Sequence, residues 1–405
     1  MDRRNFLRTL VSAAASGLLP AAQAGRAVAG PAPGRVVIIG AGIVGSSIAW
    51  HLARRGCEVT IVEARGPAAQ ASGNSFAWLN GGDASQPPSY HLLRAYALGE
   101  HRRIGQELKW PVRWGGSLEW QDGPATDIDA NVRLMQHRGS AVRVIDTAEL
   151  AAIEPGLAVA DGTRLVYGEQ DGALDPRAAT RLLFDSCLAM GATAVLPAQV
   201  TGLDSDGNRH LVRTDTGTID ADMVVVAAGV DATAIARMVG LQLPQQSTSG
   251  VIVTTEPMDR VVHTVLYGPD VHVHQRGDGR VVLGEKAGPP QTDEHRALLA
   301  ARPNEFPTPD LAAEHATRVL GVAQRQLPAL ARARVEGVGV GWRPMPVDGL
   351  PVVGRSRTRP GLYFAVMHSG ITLAPLIGRL AATEILDGLE LELLSDFRLE
   401  RLTRS

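Results

Sequence analysis

Apolar residues run together at the start of the folded region and alternate with polar ones further on. Arg35-Val-Val-Ile-Ile-Gly40 is an uninterrupted apolar run closed by glycine, the pattern of a strand buried on both faces. Helical spacing follows from Ser46 to Arg55, stopped by Gly56, and Glu58-Val-Thr-Ile-Val-Glu63 predicts a second strand. Ala221–Gly229 predicts another buried strand, and Gly191–Leu203 a strand-like piece. The short runs Gly250–Thr255, Val271–Gln275 and Arg280–Gly284, with a Gly277-Asp278-Gly279 turn, predict an antiparallel sheet. A helical run ending near Leu386 closes the pattern. Strand and helix alternating in this way predict an α/β fold.

The first residues stand outside that pattern. An Arg3-Arg4 pair precedes Asn5-Phe6-Leu7 and a modest apolar stretch from Val11 to Leu19, which Pro20 breaks. Ala22-Gln23-Ala24 offers a small-residue cleavage site. The apolar stretch is well short of the ~20 residues that span a bilayer. These features look like a twin-arginine export signal over 1–24, followed by an Ala/Pro/Gly linker over 25–34. The expected location is periplasmic, with the twin-arginine translocase as a partner. That route carries folded proteins, which suits a chain that takes up its cofactor before export.

The turn between the first strand and helix carries the first candidate chemistry. Gly40-Ala-Gly42-Ile-Val-Gly45 leads from a strand into a helix, where Gly40 allows the tight turn and Gly42 lets backbone approach a pyrophosphate. Gly45 brings helix and strand close, and the helix N-terminus offers N–H groups and a positive dipole end to an anion. Glu63, ending the second strand, can accept hydrogen bonds from ribose hydroxyls and would repel a 2′-phosphate. This unit predicts a dinucleotide site without separating NAD from FAD.

Composition narrows the class. The 405 residues carry a net charge of −2, with 45% hydrophobic and 20% charged, which excludes a disordered chain and a basic nucleic-acid binder. Two cysteines, Cys57 and Cys187, exclude a disulfide scaffold; both are expected as partly buried thiols. The 44 glycines suggest backbone pressed against a large cofactor. Trp110, Trp114 and Trp120 are expected to pack rather than to cage a cation.

Three later segments decide the cofactor. They are the polar loop Ala69–Trp78 (AQASGNSFAW), the segment Gly341–Gly354 (GWRPMPVDGLPVVG), and Met367–Pro375 (MHSGITLAP). With GAGIVG, GALDP at Gly172–Pro176 and VVVAAG before Val230, this ordered set resembles the flavoproteins of the D-amino-acid oxidase, glycine oxidase and sarcosine oxidase family. The resemblance covers Arg35–Gly388. It implies a Rossmann-like FAD-binding domain in three pieces, 35–84, 150–235 and 335–390. An α+β substrate domain with a mixed or antiparallel sheet would be interleaved with it, over 85–149 and 236–334. A tail, 391–405, would follow.

The same resemblance implies oxidation of an amine C–N bond of an amino acid, with hydride transfer to flavin N5 and hydrolysis of the imine. An N-methyl amino-acid or opine-type reaction, or a non-catalytic FAD-binding subunit of a respiratory complex, are the alternatives. Candidate FAD contacts are Gly40, Ala41, Gly42, Ile43, Val44 and Gly45, then Glu63 and Ala64, then Ser72, Asn74, Ser75 and Ala77. Val200, Ala228, Gly229, Gly341, His368, Gly370, Ile371 and Thr372 complete the set, the last three at a helix N-terminus aimed at the flavin. Arg343, in the family's GxRP segment, is the candidate grip for a substrate carboxylate, a task suited to a guanidinium fork. Where glycine oxidase has a second arginine this chain reads His368-Ser369-Gly370, so His368 is expected beside the ring.

His272 and His274 alternate on a strand and share a face. Solvent-facing positions are expected from the strand pattern, while the resemblance makes His274 a candidate on the substrate pocket. A metal pair lacks a third ligand nearby. FAD is expected to be non-covalent, since neither cysteine lies in the C-terminal motif and Phe76 stands where histidine-linked relatives place their histidine. Some sarcosine oxidases of the resembled family use a lysine above the flavin to activate oxygen. The matching strand here, Arg280–Gly284, contains none and Lys286 is offset, so the resemblance implies a respiratory quinone rather than oxygen as electron acceptor.

Overall fold

The computed structural model describes residues 33–121, 127–206, 209–285, 302, 304–306 and 308–402. The expected export signal, most of the linker and Lys286 lie outside the described residues.

A six-stranded sheet forms the centre. Its order is Val352–Arg355, Leu362–Val366, Met223–Val226, Arg35–Ile39, Glu58–Val62 and Thr193–Val195, all parallel except the first. Alternate side chains of its central strands enter two different cores. Val36 and Ile38 join Met223, Val225 and Ala365 on one side, while Val37 and Ile39 join Val224, Val226 and Phe364 on the other. Burial on both faces explains why these strands read as continuous apolar runs.

Helices Ile43–Ala53, Pro88–Glu107, Pro176–Ala189 and Gly370–Asp387 cover the first side. The meander Val200–Asp206, Arg209–Thr214, Gly217–Ala221 and the short helix Ala232–Met238 cover the second. A separate eight-stranded sheet carries the third core, with helix Pro309–Gln326 packed on it. It runs Val335–Pro346, Gln245–Thr255, Val281–Gly284, His272–Gln275, Val265–Tyr267, Ser117–Glu119, Leu165–Gly168, Val142–Ile145. The three alternating runs of the sequence pattern are antiparallel neighbours in it, and Gly279 closes their turn at φ +88°.

Several expected elements are divided differently. The first helix begins at Ile43 rather than Ser46, because the chain leaves the extended conformation at Gly42. The piece Gly191–Leu203 is two strands in two sheets, separated at Pro197, which has no N–H to give a ladder. Ala221–Gly229 breaks at Asp222, whose carboxylate accepts the Arg35 N–H at 2.8 Å.

The expected domain boundaries depart from the packing in three places. Val335–Pro346, assigned with the cofactor pieces, is paired along its length with Gln245–Thr255 in the eight-stranded sheet. Leu165–Gly168 also belongs to that sheet. Conversely, Pro88–Glu107 packs Tyr90, Leu93, Leu98 and Ile104 into the core of the six-stranded sheet. Nor does 391–402 trail away: Leu394 and Phe397 are buried there, and Arg398 pairs with buried Glu384 at 2.6 Å. Cys57 is half-buried and Cys187 buried; both are free thiols, raised to about 11 chiefly by desolvation.

Candidate active site

A cavity of about 1390 Å³ runs between the two large sheets. Gly40, Gly42, Ile43, Val44 and Glu63 line it. So do Ser72, Asn74, Ser75, Ala77, Ala228 and Gly229. Gly341, Arg343, His368, Gly370, Ile371 and Thr372 line the same space, and a Cβ on Gly370 would lie 3.2 Å from Val44. Sequence segments more than 300 residues apart therefore face one space.

The glycine-rich turn is built for close approach. A Cβ on Gly40 would lie 2.6 Å from Ala227 O, and Gly40 has φ +109°. Helix Ile43–Ala53 starts at this turn, so its first amides have no acceptor within the helix. The Ser72 hydroxyl accepts one of them, from Ile43, at 3.0 Å. Glu63 accepts the Ala41 amide at 2.8 Å on one oxygen, and those of Arg65 and Gly66 on the other. This ties the carboxylate to the turn and leaves further lone pairs for hydroxyl donors.

The loop carrying Ser72–Ala77 is clamped from two directions. Asn74 accepts from Arg177 at 2.7 Å, and a Cβ on Gly341 would lie 2.6 Å from Asn74 O. The Ala77 amide donates to Ser75 Oγ at 3.0 Å, with Ala77 at φ +58°.

Opposite this loop, the first turn of helix Gly370–Asp387 opens on the cavity. Buried His101 holds it, its Nε2 donating to the carbonyls of Ile371 at 3.1 Å and Thr372 at 2.9 Å. Trp110 donates to His101 Nδ1 at 3.0 Å, which leaves Nε2 as the protonated nitrogen. Desolvation keeps this imidazole neutral, lowered to about 4.

Arg343 projects from the long strand over Gly250. It donates to Ser249 O at 3.2 Å, and among the described residues no carboxylate comes within 4.0 Å of it. Burial lowers its pKa, and Tyr267 partly offsets the shift. His368 lines the cavity and is exposed on it. Desolvation, then Arg343 and Arg94, bring its pKa down to about 4, so the ring is neutral near pH 7.

An aromatic wall adjoins Arg343. Tyr267 stacks on His272 with centroids 3.8 Å apart, and Trp78 meets Tyr267 at 4.9 Å. Behind it, buried Asp171 accepts from Ser117 Oγ at 2.8 Å, Trp78 Nε1 at 3.0 Å and Gly81 N at 3.2 Å. Desolvation raises this carboxyl to about 6.

Five expected contacts do not line the cavity. Ala41 is buried, Gly45 faces Gly40 O, Ala64 is exposed away from the cavity, and Val200 lies in the second core. His274 also departs from the expectation. It is 0% exposed and bonds Phe76 O through Nε2 at 2.6 Å, and desolvation lowers its pKa to about 3. His272, at 7% exposure, is the histidine of that strand that lines the cavity, and neither faces solvent. Trp120 is buried, Trp110 bonds His101 and Trp114 carries Arg102 over its ring at 4.1 Å, so the tryptophans pack rather than form a cage. Among the described residues no group of three or more His, Cys, Asp or Glu is placed to hold a metal ion.

Sequence reasoning missed Tyr267, Arg94, Asp171 and His101. None sits in a motif. Tyr267 ends a three-residue strand, and Arg94 and His101 look like ordinary positions of an amphipathic helix.

The residues fit FAD. Two helix N-termini open on one cavity, Gly40 in the first turn has no room for a Cβ, and Glu63 ends the second strand, where ribose hydroxyls need an acceptor.

Comparisons with known proteins agree with this geometry. The family model for FAD dependent oxidoreductases (DAO) matches residues 35–384. An opine oxidase subunit of Agrobacterium tumefaciens is 26% identical over 376 residues, covering 87% of this chain and 93% of the relative. Glycine oxidase of Geobacillus kaustophilus is 25% identical over 360 residues, covering 86% and 91%. The crystal structure of glycine oxidase from G. kaustophilus superposes with a TM-score of 0.79 at 24% identity, over 90% of this chain and 98% of that one. A structure of L-amino acid deaminase from Proteus vulgaris superposes at 0.78 with 21% identity, over 95% and 98%. This chain belongs to the DAO family of FAD dependent oxidoreductases.

Proposed function

We propose that the protein oxidises the C–N bond of an amino acid or related amine, using non-covalent FAD, in the periplasm. The observation that carries the reading is Arg343: a guanidinium without a carboxylate partner among the described residues, in the same cavity as the dinucleotide turn. When bound, FAD would supply the two-electron acceptor for the hydride of the substrate C–H bond. Arg343 binds the carboxylate on that carbon through its fork of donors and so orients the C–H bond. His368 stays neutral and adds no second charge beside Arg343, and the aromatic wall excludes water from that side. The first turn of Gly370–Asp387 presents positive backbone dipoles to negative charge.

The test is a panel of glycine, sarcosine, D- and L-amino acids and N-carboxyalkyl amino acids, assayed with a dye acceptor and separately with oxygen. A yellow protein that releases free FAD on acid precipitation and turns over an amine with the dye, but slowly with oxygen, is the expected result. Absence of turnover on every amine would assign it to the non-catalytic class.

Export by the twin-arginine route is the matching proposal for location. It is supported by Arg3-Arg4 ahead of the short apolar stretch and by a cofactor acquired before transport. Replacing Arg3→Lys and Arg4→Lys together should retain yellow, active protein in the cytoplasm. Unchanged recovery in the periplasmic fraction would overturn it.

A further inference from the structure

A second cation faces the same cavity. Arg94, on helix Pro88–Glu107, is 8% exposed and lines the cavity together with Arg343 and His368. Its hydrogen bonds all go to neutral acceptors: Nε to Asn80 O at 3.2 Å, Nη2 to Asn80 Oδ1 at 2.8 Å and Nη1 to Gln86 Oε1 at 3.1 Å. Among the described residues no carboxylate lies within 4.0 Å of it. These neutral bonds hold the guanidinium in one orientation without balancing its charge, and a buried charge in that condition favours an anionic ligand.

The wall also carries the carboxylates of Asp83, Glu119 and Asp161, and two of its other charges are in ion pairs. Arg164 pairs with Asp129 at 2.6 Å, and Glu285 pairs with Arg318. Asp171, which accepts from Ser117, Trp78 and Gly81, acts on Arg94 electrostatically from beyond ion-pair distance. Arg94 and Arg343 both act electrostatically on the His368 ring. Both guanidiniums and the neutral histidine line the same cavity. Beyond Arg94 the cavity continues, since Gln86, which receives Arg94, also lines it beside Asn131, Met135 and Ser140.

We propose that the substrate is an amine with two carboxylates, Arg343 taking the one on the oxidised carbon and Arg94 taking the other. Resting on the amine-oxidation reading above, this names its substrate class. The second carboxylate can be carried on a nitrogen substituent, as in an N-carboxyalkyl amino acid, or on the side chain of an acidic amino acid.

The test compares iminodiacetate and N-(1-carboxyethyl) amino acids, then aspartate and glutamate, against glycine and sarcosine. The expected kcat/KM for one of the dicarboxylate classes exceeds that of the monocarboxylates by about 30-fold, the size of one charged hydrogen-bonded contact. Arg94→Gln should lower that ratio by about the same factor, with Arg94→Lys restoring part of it. Arg94 also braces Asn80 and Gln86, so a measurement on the unaltered holoenzyme stands beside the variants. Titrated by flavin absorbance, the unreactive ether oxydiacetate should bind at least about 10-fold tighter than methoxyacetate. Equal affinities, or equal kcat/KM for mono- and dicarboxylates, would overturn the proposal while leaving amine oxidation in place. Loss of flavin from Arg94→Gln with an unchanged ratio would give Arg94 to the cofactor instead.

Discussion

Replacing Arg343→Ala should lower kcat/KM for a carboxylated amine by about 100-fold, roughly 3 kcal/mol of lost binding, with FAD still in place. The size follows from what the guanidinium does. It offers charge and a planar fork in a site where the substrate carboxylate has left water, and alanine offers neither. The fold should tolerate the change, because among the described residues this side chain's hydrogen bond goes to a backbone carbonyl, Ser249 O. Removing a half-buried cation that no carboxylate among the described residues pairs with strands no partner charge there. Most of the loss should appear in KM, and part in kcat if the carboxylate also sets the angle of the C–H bond. Arg343→Lys, which keeps the charge and loses the fork, should fall between. Steady-state kinetics with flavin content measured in parallel decides this. An alanine variant within threefold of the parent would remove Arg343 from the substrate site.

The second large effect is expected at Gly45, which does not itself line the cavity. A Cβ there would fall well inside van der Waals contact of Gly40 O and 3.4 Å from Ala227 Cβ. The offending atom is backbone of the turn that follows the first strand, so no rotamer change relieves the clash. Helix Ile43–Ala53 would have to move off the sheet, carrying with it the first-turn amides and the Ser72 contact. Overpacking of this kind costs about 1–3 kcal/mol. The displaced turn should leave Gly45→Ala with less than about a tenth of its flavin by absorbance, given how steeply anion binding falls off beyond the first helical turn. Gly99→Ala is the control: its Cβ meets nothing within 4 Å on an exposed helical face, and alanine there should add about 0.5–1 kcal/mol. Full flavin content in Gly45→Ala would mean that the helix can shift without disturbing the site.

How much of the site is legible in the sequence differs by kind of residue. The dinucleotide turn is readable because its chemistry is local. Strand, turn, helix and terminal acid are contiguous, and each glycine answers a backbone need. Arg343 and His368 are readable only through resemblance, since nothing in the spacing of Gly341–Gly354 and Met367–Pro375 brings them together. His274 shows the limit of periodicity. Alternation correctly puts His272 and His274 on one face, but not which way that face points. The packing of Phe76 against both rings buries that face and gives the cavity to His272. Arg94, Tyr267 and Asp171 leave no signal at all.

By itself the sequence determined what neighbouring residues along the chain settle: the buried parallel strands, the tight glycine turn, the antiparallel runs and the family. Only the tertiary structure decided what depends on pieces far apart meeting. The strand carrying Arg343 belongs to the eight-stranded sheet rather than to the cofactor core, and a helix expected beside the substrate packs on that core instead. Two cations, from helix Pro88–Glu107 and strand Val335–Pro346, line one cavity with His368. The physical reason is that hydrogen-bonding and burial patterns repeat over a few residues and leave a local trace. A binding site is made of side chains brought close by sheet pairing and helix packing across hundreds of residues.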